Sequence, residues 1–110
     1  METPKSNNNS KARQIIPSIG VCVATDKIMK DKMLVGFMYR EEPEEDIDSG
    51  WRFFSGTEDQ DYVDDPDNSA VYDLETIMDI DSGIIPYLKM PYGTEMERVE
   101  GTDTFQVLKD

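Results

Sequence analysis

Asp48-Ser49-Gly50-Trp51-Arg52-Phe53-Phe54-Ser55-Gly56 is the stretch on which the fold turns. It gathers the only tryptophan and two of the four phenylalanines into one short run closed by glycine. Aromatic residues between turn formers predict a strand over Gly50 to Ser55. Successive strand side chains face opposite ways, so Trp51 and Phe53 share one face while Arg52 and Phe54 share the other. The first pair is expected in the core. The second face then needs cover from a helix or a partner.

Working outward from this strand, acids flank it on both sides. Positions 41 to 67 hold 12 of the 24 acidic residues and a single base, Arg52. Glu41, Glu42, Glu44, Glu45 and Asp48 precede the aromatic core of the run; Glu58, Asp59, Asp61, Asp64 and Asp65 follow it. These ten are the candidate partner-binding residues, a carboxylate cluster suited to a basic protein. The competing reading is a solvated rim around an aromatic core. Tyr39, Arg40, Trp51, Arg52, Phe53 and Phe54 form the candidate structural motif, with both arginines expected to be buried against acids as ion pairs.

Further out, Ser18 to Thr25 is apolar and β-branched and predicts a buried strand. Asp26 to Lys32 reads as a turn or one helical turn. Met33 to Glu41 predicts another strand, with Gly36 marking a bulge or a close backbone approach. A short helix is expected within Thr57 to Asp65, with Tyr62 and Val63 inward. Pro66-Asp67-Asn68 is a turn, because proline fixes φ and the Asn and Asp side chains bond the local backbone. Asn68 to Tyr72 predicts a short strand. Asp73 is placed to cap a helix over Leu74 to Ile80 whose Leu74, Ile77 and Met78 share a face. A second helical turn is expected over Ile84 to Lys89, and a closing hairpin from Thr94 to Val99 and Thr104 to Leu108. The sum is an α+β fold: a mainly antiparallel sheet with one or two short helices. Residues 1–14 read as a disordered tail and 15–110 as a single acidic domain.

The totals narrow function by exclusion. A formal charge of -13 repels nucleic acid and anionic lipid, whose binding needs Lys and Arg. The chain has no histidine, which removes the commonest general base and transition-metal ligand. Cys22 is the one cysteine; it lies in an apolar run and reads as a buried thiol. No glycine pattern builds a phosphate loop. Three starts were tested as calcium loops, at Asp59, Asp65 and Asp79, and each lacks a required ligand or glycine. Catalytic, cofactor and metal residues are therefore expected to be none, with weak calcium binding left open. No apolar run has membrane-spanning length and no secretory h-region is present, so the expected compartment is the cytoplasm.

The sequence also carries a resemblance. Met38-Tyr39-Arg40-Glu41-Glu42-Pro43, the run from Asp48 to Gly56, Glu58-Asp59, Asp65-Pro66-Asp67-Asn68, Tyr72-Asp73-Leu74, Ile84-Ile85-Pro86 and Pro91-x-Gly93-Thr94 resemble immunity-protein family thirty-three of bacterial polymorphic toxin systems. That family was first catalogued as a domain of unknown function. The likeness runs from beyond residue 17 to Glu97-Arg98 and departs from the pattern at Met96, where an aromatic is common. It implies a cytoplasmic protein that binds and blocks a toxin domain. Three readings follow, in order: an immunity or inhibitor protein with a cognate toxin or other basic partner; a stand-alone binding module or homodimer, acidic for solubility; and an enzyme on carbohydrate or phosphoester substrates.

Overall fold

The computed structural model describes residues 20–108. The expected tail and the Ser18 start of the first strand lie outside that range. In chain order the elements are β1 (Val21–Thr25), α1 (Asp26–Met29), β2 (Phe37–Arg40), β3 (Asp48–Phe54), α2 (Gln60–Asp64), β4 (Ser69–Asp73), α3 (Leu74–Ile80), β5 (Glu95–Arg98) and β6 (Phe105–Val107). Two 3-10 helices, Pro66–Asn68 and Ser82–Tyr87, complete the set. The strands form one sheet in the order β4-β1-β3-β2-β5-β6. Only the β1–β3 pair is parallel; every other neighbouring pair is antiparallel. The α+β expectation is met, and the aromatic strand lies inside the sheet rather than at an edge.

Strand alternation builds the core. Trp51 and Phe53 are buried on one face with their rings stacked at 6.0 Å. Register puts Met38 beside Phe53 and Met96 beside Met38, while Ala24 flanks Phe53 from β1. Ile28 of α1, Leu74 and Ile77 of α3, and Ile84 of the second 3-10 helix close over this face. Trp51 is anchored at its polar end as well: its Nε1–H donates to Leu88 O at 2.9 Å. Burying such a ring pair removes a few hundred square ångströms of apolar surface from water and fixes which face of the sheet is inside.

Four expectations needed adjustment. The second strand was expected from Met33, yet ladder pairing begins at Phe37. Gly36 explains the late start: a Cβ there would sit 2.1 Å from Ser55 O, so the chain presses backbone to backbone at this point. The preceding residue is pinned instead by side chains from afar. Val35 N–H donates to Asp81 Oδ2 at 3.0 Å, and Val35 O accepts from Arg98 Nε at 2.8 Å. The same Asp81 and Arg98 side chains form an ion pair with only 4% and 11% of their side-chain surface exposed. Val63 was expected inward but is exposed; α2 has five residues, and Val63, one position after the half-buried Tyr62, turns to solvent. Asp73 does stand at the start of α3, but its side chain makes no cap bond. The first amide of that helix, Leu74 N–H, donates to Gly20 O at 2.9 Å, extending the β1–β4 ladder into the helix. The fourth adjustment, at Arg40, belongs to the site.

Candidate functional site

The core uses one face of the sheet, and among the described residues the helices that cover it leave the opposite face open. On that outer face stand Val21 and Val23 of β1, Val71 of β4, Arg52 and Phe54 of β3, Phe37 and Tyr39 of β2, and Glu95 and Glu97 of β5. Phe37, Tyr39 and Phe54 lean on one another, with centroids 5.7 to 6.1 Å apart. All three are only half-buried, and Val71 is 64% exposed. Among the described residues α2 borders this face, through Tyr62 and Val63. Two depressions cross it and share Val23 and Arg52. One of about 250 Å³ is walled by Tyr39, Phe54, Tyr62 and Val63. The other, about 410 Å³, has a floor of Val21, Val23, Ile47 and Val71 and a lip formed by Glu41 to Glu45.

Arg52 is the only base among the outward positions of the six strands. Its guanidinium grips Asp48 with two parallel bonds, Nη1 to Oδ1 at 3.0 Å and Nη2 to Oδ2 at 2.8 Å. Nε donates to Glu41 Oε2 at 2.7 Å. The Arg52 hydrogen bonds hold the Asp48 carboxyl below its usual range, against the opposing pull of burial. Asp48 and Glu41 in turn raise the Arg52 guanidinium further above its ordinary value. Asp48 Oδ1 also accepts from Gly50 N–H at 2.8 Å. Gly50 has φ +89°, and a Cβ there would lie 2.2 Å from Glu41 O, so the irregularity in the β1–β3 register near Ser49-Gly50 admits no side chain at position 50. The expectation for Arg52 as a structural ion pair is thus met in its geometry.

Arg40 does otherwise. Among the described residues it meets no carboxylate. Nε donates to Ser49 O at 2.9 Å and Nη1 to Met90 O at 2.8 Å. Its guanidinium lies over Trp51 and Tyr92, at 5.8 and 4.7 Å from the ring centroids. Arg40 sits on the core side of β2, where carbonyls and aromatic faces are the nearest negative partners.

The ten acids do not make one patch. Glu41, Glu42, Glu44, Glu45 and Asp48 gather at the start of β3. Glu58, Asp59, Asp61, Asp64 and Asp65 come after its end, roughly 20 Å away at about 3.3 Å per strand residue. The second group is largely spent on local structure. Glu58 accepts from Thr25 Oγ1 at 2.6 Å, Ser55 N at 2.8 Å and Gly56 N at 2.9 Å. Burial pushes its carboxyl up, but these bonds outweigh burial and hold it below its usual range. Asp59 caps α2 through Tyr62 N, and Asp65 caps the following 3-10 helix through Asp67 N. Asp64 accepts from Gln60 Nε2. Only Asp61 of this group has no such bond among the described residues. In the first group Glu41 and Asp48 hold Arg52, while Glu42, Glu44 and Glu45 are exposed and make no side-chain bond with any described residue.

Residues 22–108 match the family model described as the Immunity protein Imm33 domain. The chain belongs to the Imm33 family of immunity proteins. Comparison with curated proteins and with solved structures gives no match. The Imm33 match begins inside β1 and ends just past β6, so it encloses the core and the open face together. Within this Imm33 domain no group of three or more His, Cys, Asp or Glu side chains among the described residues is placed to hold a metal ion. No helix of the described residues is long and apolar enough to cross a membrane. The residues that sequence reasoning missed are the apolar ones beside the acids: Val21, Val23, Ile47 and Val71. A signal for them was present. Val21 and Val23 alternate with Cys22 and Ala24, so β1 is apolar on both faces, and a strand of that kind expects cover on both.

Proposed function

We propose that this Imm33 protein is a non-catalytic, cytoplasmic binding protein that neutralises a cognate toxin through the acid-rimmed outer face of its sheet. The observation that carries the reading is the open face itself: half-buried aromatics and valines with an exposed Val71, bordered by exposed carboxylates, with no helix of the described residues laid across them. Apolar anchors inside a charged rim are the composition of a protein-binding surface. The rim suits a basic toxin, such as a nuclease whose active site is built for phosphate, and long-range attraction would speed encounter. A hydrolase working with paired carboxylates needs one of them raised toward neutrality. Asp48 and Glu58 are both lowered instead, and both hold structure.

The test is binding to the toxin domain encoded beside this gene, followed by surface interferometry at two salt concentrations. The expected result is a complex whose association rate falls at least tenfold between 50 and 500 mM salt. Failure to bind that domain, or association indifferent to salt, counts against the reading. A second reading has one observation in its favour: β4 is an edge strand whose Val71 is 64% exposed, so pairing along that edge suits a homodimer or a housekeeping partner. Sedimentation of the isolated protein separates the two, since a dimer at micromolar concentration supports the second.

A further inference from the structure

We infer that the toxin is engaged chiefly through the groove over β1, which takes a basic segment carrying one aliphatic or aromatic side chain between lysines or arginines. This rests on the immunity reading and narrows it to one half of the acidic stretch. The groove's floor is apolar: Val21 and Val23, with Ile47 63% and Val71 64% exposed at its sides. Ile47 and Val71 are the two most exposed of the large apolar side chains among the described residues, and both border this one depression, which favours a contact surface over scattered surface residues. One lip is the loop that bears Glu42, Glu44 and Glu45, all exposed and without internal bonds among the described residues. Arg52, the only base nearby, is already saturated by Asp48 and Glu41 and so offers an incoming cation little repulsion.

The other depression lacks these features. Its neighbouring acids, Glu58, Asp59 and Asp65, are engaged as caps and turn acceptors, and recruiting them to a partner would break the bonds that shape the loop. Charge complementarity therefore selects the groove over β1 and excludes a second acidic surface as occupant. The division also predicts a split in kinetics. The apolar floor should govern how long the complex lasts, and the glutamates how fast it forms.

Three variants of the full chain test this against the toxin domain encoded beside the gene. Ile47→Asp with Val71→Asp should weaken binding at least about 30-fold, mostly by faster dissociation. Both positions are exposed, so an unchanged circular dichroism spectrum and melting temperature verify the fold. Glu42→Lys with Glu44→Lys and Glu45→Lys should slow association about tenfold in 50 mM salt and much less in 500 mM. Asp59→Asn with Asp61→Asn should leave affinity within about threefold. Toxin binding that is untouched by the first two variants overturns the groove while the immunity reading stands. No toxin binding by the unmodified chain overturns both. Two other occupants would also refute the inference. A second copy would show as a dimer dissolved by the Ile47 and Val71 changes. The chain's own Lys11-Ala12-Arg13-Gln14-Ile15-Ile16 has the same chemistry. If Lys11→Glu with Arg13→Glu lowers the melting temperature of the native chain but not of the Ile47→Asp, Val71→Asp chain, the groove belongs to that segment.

Discussion

Asp81→Ala is expected to damage this fold severely while touching no part of the outer face. Asp81 is 5% exposed and its carboxylate accepts three bonds. They come from Val35 N–H at 3.0 Å, Gly83 N–H at 3.0 Å and the Arg98 guanidinium. Truncation leaves two amides without their acceptor and a mostly buried guanidinium without its counter-ion. Each buried orphan costs roughly 1–3 kcal/mol, and breaking a buried pair on one side costs roughly 3–5 kcal/mol in all. Arg98 keeps bonds to Val35 O and Thr102 O, which places the expectation near the middle, at about 4 kcal/mol. Asp81→Asn keeps one amide acceptor and should cost about 2 kcal/mol. Urea unfolding followed by the fluorescence of Trp51, the sole tryptophan and fully buried, reads both. With a slope of about 1.5 kcal/mol per molar, Asp81→Ala lowers the midpoint by roughly 2–3 M. Combined with Arg98→Met, it should show a coupling energy of about 2 kcal/mol in a double-mutant cycle. A loss under about 1 kcal/mol for Asp81→Ala, or simple additivity with Arg98→Met, would refute the claim that this pair ties β5 to the chain before β2.

Three further outcomes follow from the same geometry. The Cys22 thiol is buried and pushed up to about 12, so a thiol reagent at pH 8 should modify it only at the rate of unfolding; rapid native labelling would show that β1 opens locally. Asp48 and Glu58 both have lowered folded values, so the stability they contribute is full above the ordinary carboxylate range near pH 4 and is lost as pH falls through their folded values. Melting temperature should therefore drop steeply below about pH 4, and Arg52→Gln should flatten part of that drop. Gly50→Ala meets both a φ of +89° and a contact of 2.2 Å with Glu41 O; thermal melting should reveal a loss of about 2–4 kcal/mol, and a neutral result would mean β3 can rearrange at Ser49-Gly50.

What the sequence made legible were features fixed by near neighbours. Alternation within Trp51-Arg52-Phe53-Phe54 gives the buried and outward faces without further information, and the β5–β6 hairpin is closed by its own turn. Helix and turn positions at Gln60–Asp64 and Pro66–Asn68 follow from local caps, and Leu74–Ile80 from its apolar spacing and the break at Asp81-Ser82-Gly83. What was not legible depends on residues distant in sequence. Arg40 was expected to seek an acid because acids surround it in the chain, but in space it meets Met90 O and Tyr92. The parallel β1–β3 pairing carries β3 past its hairpin partner β2 to residues 27 to 29 positions earlier, and no periodicity announces such a choice. The candidate acids show both cases. Asp59 and Asp65 stand at cap positions that composition alone reads as open charge, whereas the apolar floor beside Glu42, Glu44 and Glu45 appears only when β4 folds back against β1.

The acid border of the open face bears on how the protein lives among its own copies. An uncovered sheet flank with valines and aromatics is adhesive toward anything apolar, including another molecule of the same kind. Two such flanks brought together would also set Glu42, Glu44, Glu45, Glu95 and Glu97 of each copy against the like charges of the other. The contact that would be easiest to make by collision alone is thereby taxed at every approach, while a cationic protein is drawn in. The border thus discriminates between a second copy and a cationic protein by the sign of its charge.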